Sequence, residues 1–108
     1  MHCRVTQFEG ASDRLDEALL FVKDQVVPRL HEAGGFKGIS TLVDRPTGKF
    51  MTISHWESLE DVERTRPLFE QLRTEAADAV GAQFLSVEVY EMGQRLDAAG
   101  KATLHLGA

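Results

Sequence analysis

His55 is the side chain best suited to proton transfer, because an imidazole with an ordinary pKa of about 6.5 accepts a proton from a phenol near neutral pH. It stands late in the alternating segment Lys49 to Trp56, in step with Met51 and Ile53. A strand-end histidine with one ring nitrogen bonded to backbone explains the same residue without chemistry. Cys3 begins another alternating segment, and if the two segments pair antiparallel its thiol lies near His55. Thiol and imidazole together are the ingredients of nucleophilic catalysis, while free cysteine is also among the most commonly buried residue types. Trp56 offers a flat ring for stacking on a planar substrate or on a partner sheet, and its indole N–H needs an acceptor if buried. Gln7 and Thr41 are polar positions on an otherwise apolar strand face. They suit the wall of a small ligand pocket, and satisfied core polar groups explain them equally well. Arg4 and Glu88 share the other face, placed for a cross-strand or cross-subunit ion pair.

Other chemistries lack their residues. His2, His31, His55 and His105 are scattered, and none has the histidine partner four positions away that a helical metal site uses, so no metal is expected. A single cysteine excludes an internal disulfide framework and any cysteine-rich zinc or iron–sulfur site. Neither Gly34-Gly35 nor another glycine set fits a phosphate loop or dinucleotide pattern. The acidic sets Asp13/Asp16/Glu17 and Glu57/Glu60/Asp61/Glu63 lie at or near expected helix starts, where the dipole favours negative charge. Twelve Lys and Arg against 17 Asp and Glu give a net charge of −5 without a basic run, so nucleic acid and anionic membrane surfaces are not expected partners. No apolar run approaches the roughly 20 residues of a membrane span, and the opening residues lack the apolar core of a secretory signal. With a lone cysteine, a cytoplasmic location is expected.

The elements that must position these residues follow from periodicity. A chain of 108 residues is one domain, and 43% hydrophobic with 27% charged residues is ordinary for a globular one. His2 to Phe8 alternates as a first strand. Ser12 or Asp13 can cap a helix whose stripe runs Leu15, Ala18, Leu19, Val22, Val26, Leu30, with Pro28 bending its last turn and Gly34-Gly35 ending it. Phe36 to Asp44 and Lys49 to Trp56 form a hairpin across Arg45-Pro46-Thr47-Gly48, a sequence suited to a type I turn. Ser58 caps the next helix, which Pro67 splits, and Gln83 to Met92 alternates as a fourth strand. The order β-α-β-β-α-β predicts an α+β, ferredoxin-like fold with a four-stranded antiparallel sheet in the order 4-1-3-2 and two helices on one face.

Sorting the strands by parity predicts that Cys3, Val5, Gln7, Ile39, Thr41, Val43, Met51, Ile53, His55, Leu85, Val87 and Val89 lie under the helices. Phe8, Leu42, Phe50, Trp56, Phe84 and Tyr90 then fall on the open face, and five rings there call for a covering partner, a second copy of the sheet. Residues 1–92 form the expected domain and residues 93–108 a tail. Its alternating segment Ala102 to Leu106 is expected against a sheet edge or the partner subunit.

Gly35-Phe36-Lys37-Gly38 opening the second strand, Thr47-Gly48-Lys49 at the hairpin and His55-Trp56-Glu57-Ser58 entering the second helix together resemble the antibiotic-biosynthesis-monooxygenase-like family. The resemblance covers residues 1 to 92 and implies a small dimeric α/β barrel. Its superfamily includes cofactor-free oxygenases acting on polyphenolic rings, haem-degrading proteins and many members of unknown role. The haem-degrading branch pairs an Asn on the first strand with a Trp and a His on the second helix. This chain has Gln7 near the first position and neither Trp nor His between Ser58 and Ala82, so no haem ligand and no cofactor are expected. The oxygenases resemble this chain through Trp56. The expectation is therefore a homodimer with a modest apolar cavity between sheet and helices, binding a small aromatic molecule, with cofactor-free monooxygenase activity as the chemistry implied. His55 would be its base, and Gln7, Thr41 and Trp56 its binding residues. The alternative is a non-catalytic dimeric binding or interaction module, in which His55, Gln7 and Thr41 are only core polar groups.

Overall fold

The computed structural model describes residues 1–106, so the last two residues of the expected tail lie outside the described residues. Strand β1 (His2–Glu9) leads through a 3-10 turn (Ser12–Arg14) into α1 (Leu15–Phe21), a π-helical turn (Val22–Val26) and α2 (Val27–Ala33). Strands β2 (Phe36–Asp44) and β3 (Lys49–Trp56) follow, then α3 (Leu59–Arg64), α4 (Arg66–Val80) and β4 (Gln83–Glu91). These four strands form one antiparallel sheet in the order β2-β3-β1-β4, as the ferredoxin-like pattern predicts. The tail adds β5 (Gln94–Leu96) and β6 (Ala102–Leu104), which pair with each other in a separate two-stranded sheet and not with an edge of the large one.

Local chemistry sets the joints. Pro28 has no N–H to give, and the chain absorbs the defect ahead of it: Val22–Val26 widens to a π turn and α2 restarts with Pro28 in its first turn. The cap expected from Ser12 or Asp13 is absent. The 3-10 turn closes instead through the Arg14 N–H on the Ala11 carbonyl at 2.9 Å. Ser58 does cap α3, its hydroxyl oxygen accepting the Asp61 N–H at 3.2 Å. Helices α3 and α4 part at Thr65, with Pro67 in the first turn of α4. The β2–β3 loop is one residue wider than a type I turn, because the N–H of Gly48, at φ +78°, reaches the Asp44 carbonyl at 3.0 Å.

Cross-strand register corrects the expected faces. Arg4, Thr6 and Phe8 stand opposite Ser54, Thr52 and Phe50, and this set, with Trp56, is the one buried under the helices. Ile39, Thr41, Val43, Val87 and Val89 join it as expected. Cys3, Val5, Gln7, Met51, Ile53 and His55 therefore lie on the open face, the reverse of the parity assignment for β1 and β3. Both faces of these two strands carry apolar side chains, so alternation fixes parity within a strand without fixing which parity points inward. The rings span the gap to the helices: Phe8 stacks on Phe50 at 4.9 Å, and Trp56 meets Phe69 edge-on at 6.0 Å. One core cluster gathers Phe8, Leu15, Ala18, Phe50, Ala76, Val80 and Ala82, and the other Val26, Leu30, Trp56, Val62, Phe69 and Leu72, with Phe21 packed against both. The expected Arg4–Glu88 pair does not form, because Arg4 faces the helices while Glu88, opposite Val5, is on the open face and accepts the Tyr90 hydroxyl.

Candidate functional site

Helix α4 sinks Phe69, Leu72, Ala76 and Val80 into the core but does not cover the edge strand β4. Val87 and Val89 turn toward the helix layer and remain 42% and 44% exposed. The gap is a cleft of about 420 Å³ between β1 and β4 on one side and α3 and α4 on the other. That volume is typical of small-molecule sites. A second cavity, between α1, α4 and the sheet, is apolar and measures about 40 Å³, room for a few waters and no ring.

Three arginines line the cleft. Arg66 and Arg73 are one heptad apart on α4 with Phe69 between them, so the helix presents all three along one side. Arg4 arrives from β1 and is only 4% exposed. Its guanidinium carbon lies 3.8 Å from the centre of the Phe69 ring, one nitrogen donates to the Val62 carbonyl, and another donates to the Thr65 hydroxyl at 3.3 Å. The break between α3 and α4 supplies both acceptors. Arg73 covers the Phe84 ring at 4.2 Å and donates through Nε to the Phe69 carbonyl at 3.4 Å. Burial, then the charges of Arg73 and Arg66, push the Arg4 pKa down to about 10, so it stays cationic at neutral pH. Glu63 and Glu70 also line the cleft. Among the described residues, neither they nor any other carboxylate comes within 4.0 Å of these three guanidinium groups.

No protein-family model matches the sequence. The uncharacterized protein Rv2557 of Mycobacterium tuberculosis is 31% identical over 81 residues, covering 75% of this chain and 36% of the relative. The chain thus spans about a third of the length of the curated relatives it matches. Solved structures align across nearly all of it. A monooxygenase from the gene ActVA-Orf6 of Streptomyces coelicolor, in complex with the ligand nanaomycin D, has a TM-score of 0.62 at 12% identity, covering 99% of this chain and 88% of that one. SnoaB, a cofactor-independent oxygenase from Streptomyces nogalater, has a TM-score of 0.60 at 16% identity, covering 90% and 95%. An antibiotic biosynthesis monooxygenase aligns with a TM-score of 0.58 at 17% identity over 85% and 96%. The chain has the antibiotic-biosynthesis-monooxygenase-like fold.

This monooxygenase-like fold scatters the four side chains singled out from the sequence. His55 is half-buried on the open sheet face, in a groove beside the tail hairpin with Arg95, Thr103 and His105. The Cys3 thiol does lie beside it, with Sγ 3.2 Å from Nδ1. Burial pushes that thiol above 9.0, so it is protonated at neutral pH and is not an activated nucleophile. Gln7 borders a shallow groove with Leu42 and Met51 on the open side. Thr41 faces the helices opposite Thr52, half-buried and outside both inner cavities. Trp56 is fully buried in the core of its own chain, corrected from the expected open face, with Nε1 donating to the Ser54 hydroxyl at 2.9 Å. None of the four lines the arginine cleft. The cleft's own signal lay in the spacing Arg66, Phe69, Arg73, which sets two cations beside the core stripe of Phe69, Leu72 and Ala76. Among the described residues no group of three or more His, Cys, Asp or Glu is placed to hold a metal ion, and no helix is long and apolar enough to cross a membrane.

Proposed function

We propose that the cleft between β4 and α4 binds a small aromatic molecule, and that the protein acts on it as a cofactor-independent monooxygenase while assembled as a homodimer through the open sheet face. The observation that carries this reading is the cleft itself. It combines ligand-sized volume and an apolar wall of Leu59, Phe69, Val87 and Val89 with fixed cations at one side. Oxygenation without a cofactor draws its electrons from the substrate, and a phenol or enol gives them up most readily as its oxyanion. Guanidinium groups beside the ring oxygen stabilise that form in a site partly closed to water. The solved neighbours support the same chemistry, since one carries a bound nanaomycin D and another is a cofactor-independent oxygenase.

One observation favours the second reading, a non-catalytic binding module: the cleft's ionisable walls are arginine and glutamate, with no imidazole or thiol among them. Incubation with anthrones, quinols and other phenols separates the two. Oxygen uptake with incorporation of labelled oxygen into product, without added cofactor, is the expected result. A ligand that raises the melting temperature but consumes no oxygen assigns the module instead.

A further inference from the structure

We infer that the ligand of the arginine cleft is an aromatic acid, anchored by its carboxylate on Arg4, Arg66 and Arg73 with its ring against Phe69, Val87 and Val89. This rests on the reading of the cleft as an aromatic-binding site and adds the charge its ligand carries. Four of the five arginines outside the cleft hold a carboxylate: Arg14, Arg29, Arg45 and Arg64 each have one at 3.0 Å or less, and Arg95, on the tail hairpin, is the exception among the described residues. The three cleft arginines have none among the described residues, although the chain as a whole is acidic at −5.

Arg4 bears the cost of this arrangement most directly. A buried guanidinium is expensive unless its charge is compensated, and both acceptors around Arg4 are neutral, a backbone carbonyl and a hydroxyl. Its two like-charged neighbours add repulsion, which together with burial lowers its proton affinity. An anion reverses both penalties at once. Phe69 and the α3–α4 break hold the Arg4 fork in place before any ligand arrives, so little ordering is left to the binding step. The planar fork matches the two oxygens of a carboxylate, and the apolar far wall suits the ring that such a carboxylate would carry. The competing arrangement is internal: Glu63 and Glu70 swing onto Arg66 and Arg73 and neutralise the cleft without a ligand.

Naphthol and hydroxynaphthoate share a ring system and differ by one carboxylate, and titration calorimetry at pH 7 and low salt compares them directly. Hydroxynaphthoate is expected to bind about tenfold more tightly or better, with the preference shrinking as salt is added. Arg66→Gln and Arg73→Gln are each expected to cost the acid about tenfold, a larger loss than either imposes on naphthol. These two positions carry the test because Arg4→Gln removes bonds that tie β1 to the α3–α4 break and risks the fold. Equal affinity for the two probes, unchanged in both variants, overturns the carboxylate anchor and leaves the aromatic site standing. Failure of both probes to bind overturns the anchor and the site together.

Discussion

Ser54 and Trp56 stand two residues apart on one strand face, and both are within 1% of complete burial. The indole N–H has the Ser54 hydroxyl as its acceptor at 2.9 Å. Ser54→Ala keeps the volume nearly constant and strands that donor in a dry core, so it should lower the unfolding free energy by about 2 kcal/mol. Urea melts with an unchanged denaturant slope would show it, whereas a loss under about 0.5 kcal/mol would mean that the indole finds another acceptor. That Trp56 needs an acceptor was legible from its type, and so was the nearness of Cys3 to His55, which follows from antiparallel pairing of β1 with β3. The direction these side chains point was not legible. Arg4 shows why: its place depends on Phe69, Val62 and Thr65, some 58 to 65 positions along the chain, and no local pattern in β1 announces them.

Element joints are where the family-like motifs act. A side chain at Gly35, φ +78°, would put its Cβ 2.3 Å from the Asp61 carboxylate, and one at Gly48 would fall 2.0 Å from the Gly10 carbonyl oxygen. The glycines that carry the resemblance therefore fix how α3 sits against the start of β2 and how the β2–β3 loop meets the β1 end. This is why they announced the fold and said little about chemistry. Pro28 was legible as a defect, but its repair by a π turn was not, since the widening depends on what the helix packs against. Between α2 and α4, Arg29 holds Glu75 through two nitrogens at 2.5 and 2.7 Å. That bond keeps the Glu75 carboxyl below its usual range, as Lys37 does for Glu57 and Arg64 for Asp61. A depressed carboxyl pKa in the folded state stabilises above the ordinary carboxyl range, and the benefit disappears as pH falls through the depressed value. Glu75→Gln should therefore melt below the parent at pH 7, with the gap closing at an acid pH below the ordinary carboxyl range. The pair is part exposed, so a modest difference is expected. A gap equally wide at both pH values would mean that Glu75 acts by packing and not by charge.

At the scale of the whole molecule, the radius of gyration is 14.5 Å, against about 13 Å for a compact chain of this length. The β5–β6 hairpin belongs to that excess. It is turned by Asp97, whose carboxylate accepts the Ala99 and Lys101 N–H groups, and is tied back at its base by the His105 N–H on the Gly93 carbonyl at 2.8 Å. Leu96, Leu104 and Leu106 remain 60%, 55% and 83% exposed, and on the sheet Leu42 and Tyr90 are more than half exposed. An apolar arm beside an uncovered apolar sheet face is what a second copy of the chain would bury. The open face still lacks a cover within this chain, although Phe8, Phe50 and Trp56 are inside and Val5, Met51 and Ile53 join Tyr90 outside. Residues 94–106 contribute no side chain to either core cluster, so deleting residues 94–108 should leave each protomer folded. If the arm clasps a partner, sedimentation at micromolar concentration should then show the dimer weakened by tenfold or more, about 1.4 kcal/mol. A truncated chain that dimerises and melts like the full one would show that the sheet face suffices and that the exposed leucines of the arm serve another surface.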